Sequence, residues 1–310
     1  MIRGGGGMMH GDVKKLLLTG GSGQVGSAII AVARAYGFTV SAPPRDTLDL
    51  TKADDIVAAV GSDDWSIIIN CAGYTDVDEA QGNQVQAGTV NRVAPGIFAS
   101  EAALRNIPII HLSTDYVFDG SKNTPYTEDD LVYPLGVYGA SMEAGEAAVR
   151  AANPAHAIIR TAWVVSAGRK NFIDTMLTLA QNQDEIAVVS DQTGSPTSAD
   201  DLAAAILLIA RQMIHSSKKC TGTWHFVNAG ITSWYDLAAF IFENIAARGL
   251  KVPELRAITT SDYSTEARRP PHSKLDTARI TRVFQINPRP WQAAIKDIID
   301  TRLLTDIPKS

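Results

Sequence analysis

The strongest constraint on what this chain can fold into is a repeated alternation of short apolar runs with longer stretches of helical pattern. Lys15–Thr19, Phe38–Ala42, Ser66–Asn70, Pro108–Ser113 and His156–Arg160 read as strands. Val25–Tyr36, Asp54–Val60, Gln86–Arg105 and Ser141–Ala152 read as the helices between and after them. Strands joined through helices pair in parallel, because a parallel neighbour is reached only by crossing over the sheet. The strand centres are unbroken apolar runs, Leu16-Leu17-Leu18, Ile67-Ile68-Ile69 and Ile109-Ile110, rather than an apolar/polar alternation. Such runs belong to strands covered on both faces. The sequence therefore predicts an α/β fold built on a Rossmann-type, doubly wound parallel sheet.

The texture loosens around Ser166–Asn171, and a change of domain is placed there. Residues 14–165 read as a dinucleotide-binding domain to which 190–215 returns, and 166–310 read mainly as a smaller C-terminal α/β substrate-binding domain. The second part carries a helix at Phe172–Gln181, a strand at Ile186–Val189 and a strand at Trp224–Val227. Two more helices open at Ser198 and Ser233, each with an acidic residue three positions on, Asp201 and Asp236, as in a capping box. The segment Ile258–Asp276 is polar and arginine-bearing, unlike a core element, and residues 1–13, with four consecutive glycines, read as a flexible lead-in.

Composition removes several classes of function. The 28 Lys+Arg against 33 Asp+Glu give a net charge of −5, with no basic excess to neutralise a run of phosphates, so nucleic acid is not expected as a partner. The apolar stretch Leu202–Ala210 is about half the ~20 residues of a membrane span, and the N-terminus lacks the apolar centre of a secretory signal. A cytoplasmic protein without membrane contact is expected. Cys71 and Cys220 are too few for a disulfide scaffold and lack zinc-site spacing.

The first strand runs into Thr19-Gly20-Gly21-Ser22-Gly23-Gln24-Val25-Gly26, with Gly20, Gly23 and Gly26 at three-residue intervals. Between a strand and a helix this spacing serves a dinucleotide: a tight turn, close approach of backbone to a pyrophosphate, and close packing of the helix whose free N–H groups face the anion. A carboxylate ending the second strand would favour NAD. Here that strand runs into Pro43-Pro44-Arg45-Asp46, where Arg45 can meet a 2′-phosphate. NADPH is the expected cofactor, with NADH the alternative through Asp46 or Asp49.

Three further segments lie beyond strand ends, where open α/β sheets hold ligands. They are Asn70-Cys71-Ala72-Gly73-Tyr74-Thr75, Ser113-Thr114-Asp115-Tyr116-Val117-Phe118-Asp119-Gly120 and Tyr138-Gly139-Ala140-Ser141-Met142. Hydroxyls and a phenol are the groups needed to protonate a carbonyl oxygen as hydride arrives. On these segments, together with Asp191-Gln192-Thr193-Gly194-Ser195-Pro196-Thr197, the chain resembles the extended short-chain dehydrogenase/reductase superfamily and, within it, the dTDP-4-dehydrorhamnose reductase family. The resemblance runs from Lys15 to about Trp291. It implies reduction of the 4-keto group of dTDP-4-dehydro-6-deoxy-L-mannose to dTDP-L-rhamnose with NAD(P)H, for cell-surface polysaccharide. It places Thr114 on the substrate carbonyl and Tyr138 as proton donor. Gly20, Gly23, Gln24 and Val25 would hold the pyrophosphate, Asp49 and Leu50 would lie by the adenosine, and Cys71, Ala72 and Gly73 by the nicotinamide half. Asp115, Tyr116, Trp163, Asn171, Thr197 and Arg269 would line the substrate side, although Trp163 also reads as core and Asn171 as a helix cap.

One position departs from the superfamily pattern Tyr-x-x-x-Lys: four residues after Tyr138 stands Met142. Positions i and i+4 share a helix face, so methionine fills the lysine's volume without its charge or hydrogen bonds. Loss of one such electrostatic partner in a closed site costs on the order of 3 kcal/mol, or roughly 10²- to 10³-fold in rate. Three readings stay open. Tyr138 still acts, being protonated at neutral pH; another cation, Lys170 or Arg169, substitutes; or the chain binds dinucleotide without chemistry, as a regulatory subunit like the β subunit of methionine adenosyltransferase. A reductase or epimerase of another nucleotide sugar is a further alternative. The stretch Gly26-Ser27-Ala28-Ile29 lacks the carboxylate that some family members use for an interface metal, so no metal site is expected and a monomer or weak homodimer is.

Overall fold

The computed structural model describes residues 13–305; residues 1–12 of the expected lead-in lie outside them. The main sheet is formed by β1 (Lys14–Thr19), β2 (Phe38–Ser41), β3 (Ile67–Asn70), β4 (Ile109–Thr114), β5 (His156–Thr161) and, after β6 (Glu185–Val189), by β7 (Gly222–His225). Its six strands are parallel and lie in the order β7-β5-β4-β3-β1-β2. The longer helices are α1 (Gln24–Val32), α2 (Ala53–Gly61), α3 (Ala94–Leu104), α4 (Val137–Ala152), α5 (Phe172–Asn182), α6 (Ala199–Cys220), α7 (Trp234–Ala246), α8 (Ala278–Phe284) and α9 (Trp291–Thr305). Successive strand residues face opposite sides. Leu16, Leu18, Ile67 and Ile69 pack with residues of α1, α6 and α8, whereas Leu17, Ile68, Ile109 and Ile158 pack with residues of α2, α3 and α4. Both faces are covered, as the apolar runs require.

A second core is built from α5, α7 and α9 with β6, which pairs in parallel with β8 (Glu254–Ile258). Between the two cores the chain crosses back. α6, kinked at Ser216 where the backbone leaves the helical region, reaches Cys220, and β7 pairs with β5, so the main sheet takes its edge strand from beyond residue 215. Turn residues alone do not mark that return, because β7 finds its partner about sixty residues upstream. Among the described residues no helix is long and apolar enough to cross a membrane.

Three local differences from the sequence pattern have physical causes. α1 ends at Val32 and passes into a 3-10 turn, Ala33–Tyr36, closed by Gly37 in the left-handed conformation (φ +85). The stretch expected as one helix over 86–105 contains a π turn, Thr89–Val93, ahead of Pro95, which cannot donate into the helical ladder. α4 begins at Val137 rather than Ser141: Gly136 supplies no capping side chain, and the Val137 N–H instead donates to Gln81 Oε1 at 2.8 Å. That cap comes from 56 residues away and is invisible to local pattern.

Candidate active site

The strand order reverses at β1, and in open sheets the crevice beyond such a switch point is where ligands bind. A cleft of about 1270 Å³ opens there. Residues 19–26 line one side of it and residues 71–75 another. Gly20 has φ +71, and a Cβ on it would lie 2.7 Å from Ala72 N; a Cβ on Gly26 would collide with the Gly20 carbonyl oxygen. Gly23 caps α1 without a side chain. The first-turn N–H groups of α1 are thus free of side-chain caps, beside a cradle into which only bare backbone fits. These residues fit the pyrophosphate of a dinucleotide.

Arg45, Asp49 and Leu50 line the same cleft beyond β2. Thr51 donates to the Asp49 carboxylate from its backbone N–H at 3.0 Å and its hydroxyl at 2.8 Å, holding it below the usual carboxylate range. Cys71, Ala72 and Gly73 form the wall at the end of β3. Burial pushes the Cys71 thiol up to about 12, so Cys71 is a neutral wall and not a nucleophile at neutral pH. The Gln24 side chain turns away from the role of an anion contact. It donates to Val164 O at 3.1 Å and accepts from Ser166 Oγ at 2.8 Å and Asn171 Nδ2 at 3.1 Å, joining the glycine turn to the second core.

The Thr114–Tyr138 corner is assembled from β4 and α4. Gly139 lets α4 press against Tyr116, since a Cβ there would collide with the Tyr116 carbonyl oxygen. The Tyr138 phenol is thereby brought beside the Thr114 side chain, and its ring meets Tyr116 edge-on at 5.5 Å. Thr114 Oγ1 also accepts from Tyr116 N at 3.2 Å and donates to Asp115 Oδ1 at 3.1 Å. Burial raises the Tyr138 phenol well above its ordinary value; the neighbouring Thr114 side chain opposes this, and the charges of Asp115 and Tyr116 add to it. Tyr138 is accordingly a neutral, proton-bearing phenol. Met142 stands one turn further along, 6% exposed and on the cleft. Among the described residues lining the cleft the cations are Arg45, Arg169 and Lys170, none of them on α4.

The other expected substrate-side residues divide. Asp115, Tyr116 and Trp163 line the cleft. Trp163 has φ +48 and stacks on Trp234 with ring centroids 3.5 Å apart, so it is both wall and packing element. Asn171, Thr197 and Arg269 are not among the lining residues. Asn171 caps α5, accepting from Ile173 N at 2.9 Å. Thr197 is fully buried, its N–H donating to Trp163 O at 3.1 Å. Arg269 donates to the Tyr116 hydroxyl at 3.2 Å and pairs with Asp78 at 2.5 Å, acting behind the site. Sequence reading missed Trp234 and Asn91. The Asn91 amide accepts from Tyr74 N at 2.7 Å and donates to Ser141 Oγ at 2.9 Å, tying the β3 loop to α4. Asn91 is 1% exposed and must pair its amide, but only its burial in the tertiary structure marks it.

A family model described as "RmlD substrate binding domain" matches residues 14–303. A dTDP-4-dehydrorhamnose reductase of Aggregatibacter actinomycetemcomitans is 40% identical over 288 residues, covering 92% of this chain and 98% of that protein. A crystal structure of a dTDP-4-dehydrorhamnose reductase from Clostridium acetobutylicum is 34% identical, with a TM-score of 0.86, covering 94% of this chain and 99% of the other. A Bacillus anthracis dTDP-4-dehydrorhamnose reductase in complex with NADP is 30% identical, with a TM-score of 0.85, covering 93% and 99%.

Proposed function

This chain belongs to the dTDP-4-dehydrorhamnose reductase family, and from that premise we propose that it reduces the 4-keto group of dTDP-4-dehydro-6-deoxy-L-mannose to give dTDP-L-rhamnose. The observation that carries the reading is the meeting of Thr114 and a neutral Tyr138 phenol in a glycine-lined cleft. A nicotinamide dinucleotide, when bound, would supply the hydride for C4. Gly20, Gly23, Gln24 and Val25 would hold its pyrophosphate by backbone, with Cys71, Ala72 and Gly73 against the nicotinamide half. Arg45 favours NADPH through the 2′-phosphate, while Asp49 and Leu50 flank the adenosine. Tyr138 gives its proton to the C4 oxygen, and Thr114, beside the phenol, orients it toward the carbonyl. Asp115, Tyr116 and Trp163 hold the sugar and nucleotide, with Asn171, Thr197 and Arg269 supporting that wall from behind. Residues 14–165 with the returning α6 and β7 form the dinucleotide domain, and most of 166–310 the substrate domain of a monomer or weak homodimer.

Met142 supports a second reading, a dinucleotide-binding protein without turnover. NADPH consumption with the 4-keto sugar nucleotide, measured for the natural chain beside Met142→Lys, separates the two. The reductase reading expects both to turn over, the lysine variant faster by roughly 10²-fold. A silent natural chain beside an active lysine variant would establish the second reading, and silence from both with NADPH still bound would reject this substrate.

A further inference from the structure

Asp115 is 2% exposed yet borders the cleft. Its Oδ1 accepts from the Thr114 hydroxyl at 3.1 Å, and its Oδ2 has no hydrogen-bond partner. A buried carboxylate with an empty oxygen is costly, and protonation relieves that cost. Resting on the reductase reading, we propose that Asp115 supplies the proton that Tyr138 hands to the substrate, passing it through the Thr114 hydroxyl. The groups facing Asp115 do not offset its burial with a cation. They are Ser273, Thr114, Tyr116 and Tyr138, with Arg269 and Asp78 one layer behind Tyr116. Burial pushes the Asp115 carboxyl up to about 6, with the neighbouring Ser273 and Thr114 side chains working against it.

With Asp115 protonated, the freely rotating hydroxyls align as donors toward the substrate: Asp115 to Thr114, Thr114 to Tyr138, Tyr138 to the C4 oxygen. As hydride bonds to C4, the carbonyl π pair moves onto oxygen, which takes the Tyr138 proton. Tyr138 takes that of Thr114, and Thr114 that of Asp115. Each relay oxygen loses one proton and gains one, and the single negative charge ends on the Asp115 carboxylate, which solvent reprotonates. The phenolate that an ammonium at position 142 would stabilise does not accumulate. This is how a chain with Met142 keeps the chemistry.

The test is Asp115→Asn in two backgrounds, the natural chain and Met142→Lys. Because Asp115 must carry its proton, kcat of the natural chain is highest below the carboxyl's pKa and falls as pH rises through about 6. Asp115→Asn is expected to remove that limb and to lower kcat on the order of 100-fold, the worth of a general acid. In the Met142→Lys background the loss is expected to stay under about tenfold, since charge stabilisation is restored. A limb that persists in the variant, equal losses in both backgrounds, or a change in KM alone would overturn the relay and leave Asp115 a sugar contact. Carboxyl titration by 13C NMR in dinucleotide-free protein gives a readout apart from turnover. It is expected to place Asp115 well above the ~4 of an ordinary aspartate, and an ordinary value would overturn the proposal. If only Met142→Lys turns over, the relay falls while the reductase scaffold stands; if neither does, the reductase reading falls and takes the relay with it.

Discussion

At the glycine turn the cleft is shaped by backbone, whereas at the Tyr138 corner it is shaped by side chains. Gly20 and Gly26 admit no Cβ because neighbouring backbone already occupies that space. Recognition of a pyrophosphate there needs no charged residue, since N–H groups and the start of α1 provide the positive field. At Tyr138 the geometry comes from α4 and β4, but acidity comes from the groups around the phenol. Backbone sites are governed by steric fit and fail abruptly. Side-chain electrostatics is graded, and a chain can exchange one partner for another. The same contrast recurs along α4 itself, where uncharged Met142 and charged Glu146 lie one turn apart. Glu146 is fully buried, taking two hydrogen bonds from Arg160 at 2.8 and 2.7 Å, one from Ser113 at 2.6 Å and one from Arg150 at 2.9 Å.

Substitutions separate the two ends of the cleft. Tyr138→Phe is expected to lower kcat about 10³-fold while dinucleotide affinity in a fluorescence titration stays unchanged; a matching loss of affinity would mean the two ends are not separable. Glu146→Gln is expected to destabilise by about 3 kcal/mol in urea unfolding, because it weakens the pairing of buried Arg160. Burial works to raise the Glu146 carboxyl, but Arg160, Ser113 and Arg150 outweigh it and hold it below the usual glutamate range. Its contribution is therefore complete at neutral pH and is lost as pH falls through that depressed pKa, and the glutamine variant should lack this acid-side loss.

Gly26→Ala is expected to weaken dinucleotide binding roughly 10- to 100-fold, equivalent to the ~1–3 kcal/mol of an overpacked site, with the Tyr138 corner undisturbed. Calorimetric binding equal to the natural chain would show that the turn yields where steric fit says it cannot. Arg45→Ala should have the smallest effect, a loss of about fivefold or less in NADPH affinity with NADH affinity unchanged, because an exposed ion pair is screened by solvent. An equal change for both dinucleotides would remove Arg45 from the 2′-phosphate.

Much of the fold could be read from the chain because its periodicities are local. Leu16-Leu17-Leu18 and Ile67-Ile68-Ile69 specify strands buried on both faces, and every one of these residues is fully buried. Ser198 and Ser233 mark helix starts, and each hydroxyl does accept backbone N–H groups of the first turn. The return of α6 and β7 to the first sheet was harder to bound, since pairing between β5 and β7 is a long-range choice. Within the site, Thr114, Tyr138 and Met142 stand in recognisable segments. Trp234 gave no signal, because a tryptophan beginning a helix looks like any core aromatic until its ring is found stacked on Trp163.

By itself the sequence determined what depends on neighbours along the chain: the strand and helix periods, the glycines at the β1–α1 turn, and the identity of the residue one turn after Tyr138. Only the tertiary structure decided what depends on residues far apart in sequence. Gln81 starts α4 early enough to carry Tyr138 into its first turn. Close packing of Gly139 on Tyr116 then sets the phenol beside Thr114. Burial leaves one oxygen of Asp115 without a partner. Desolvation is a property of everything that surrounds a group, and no local stretch of sequence contains it.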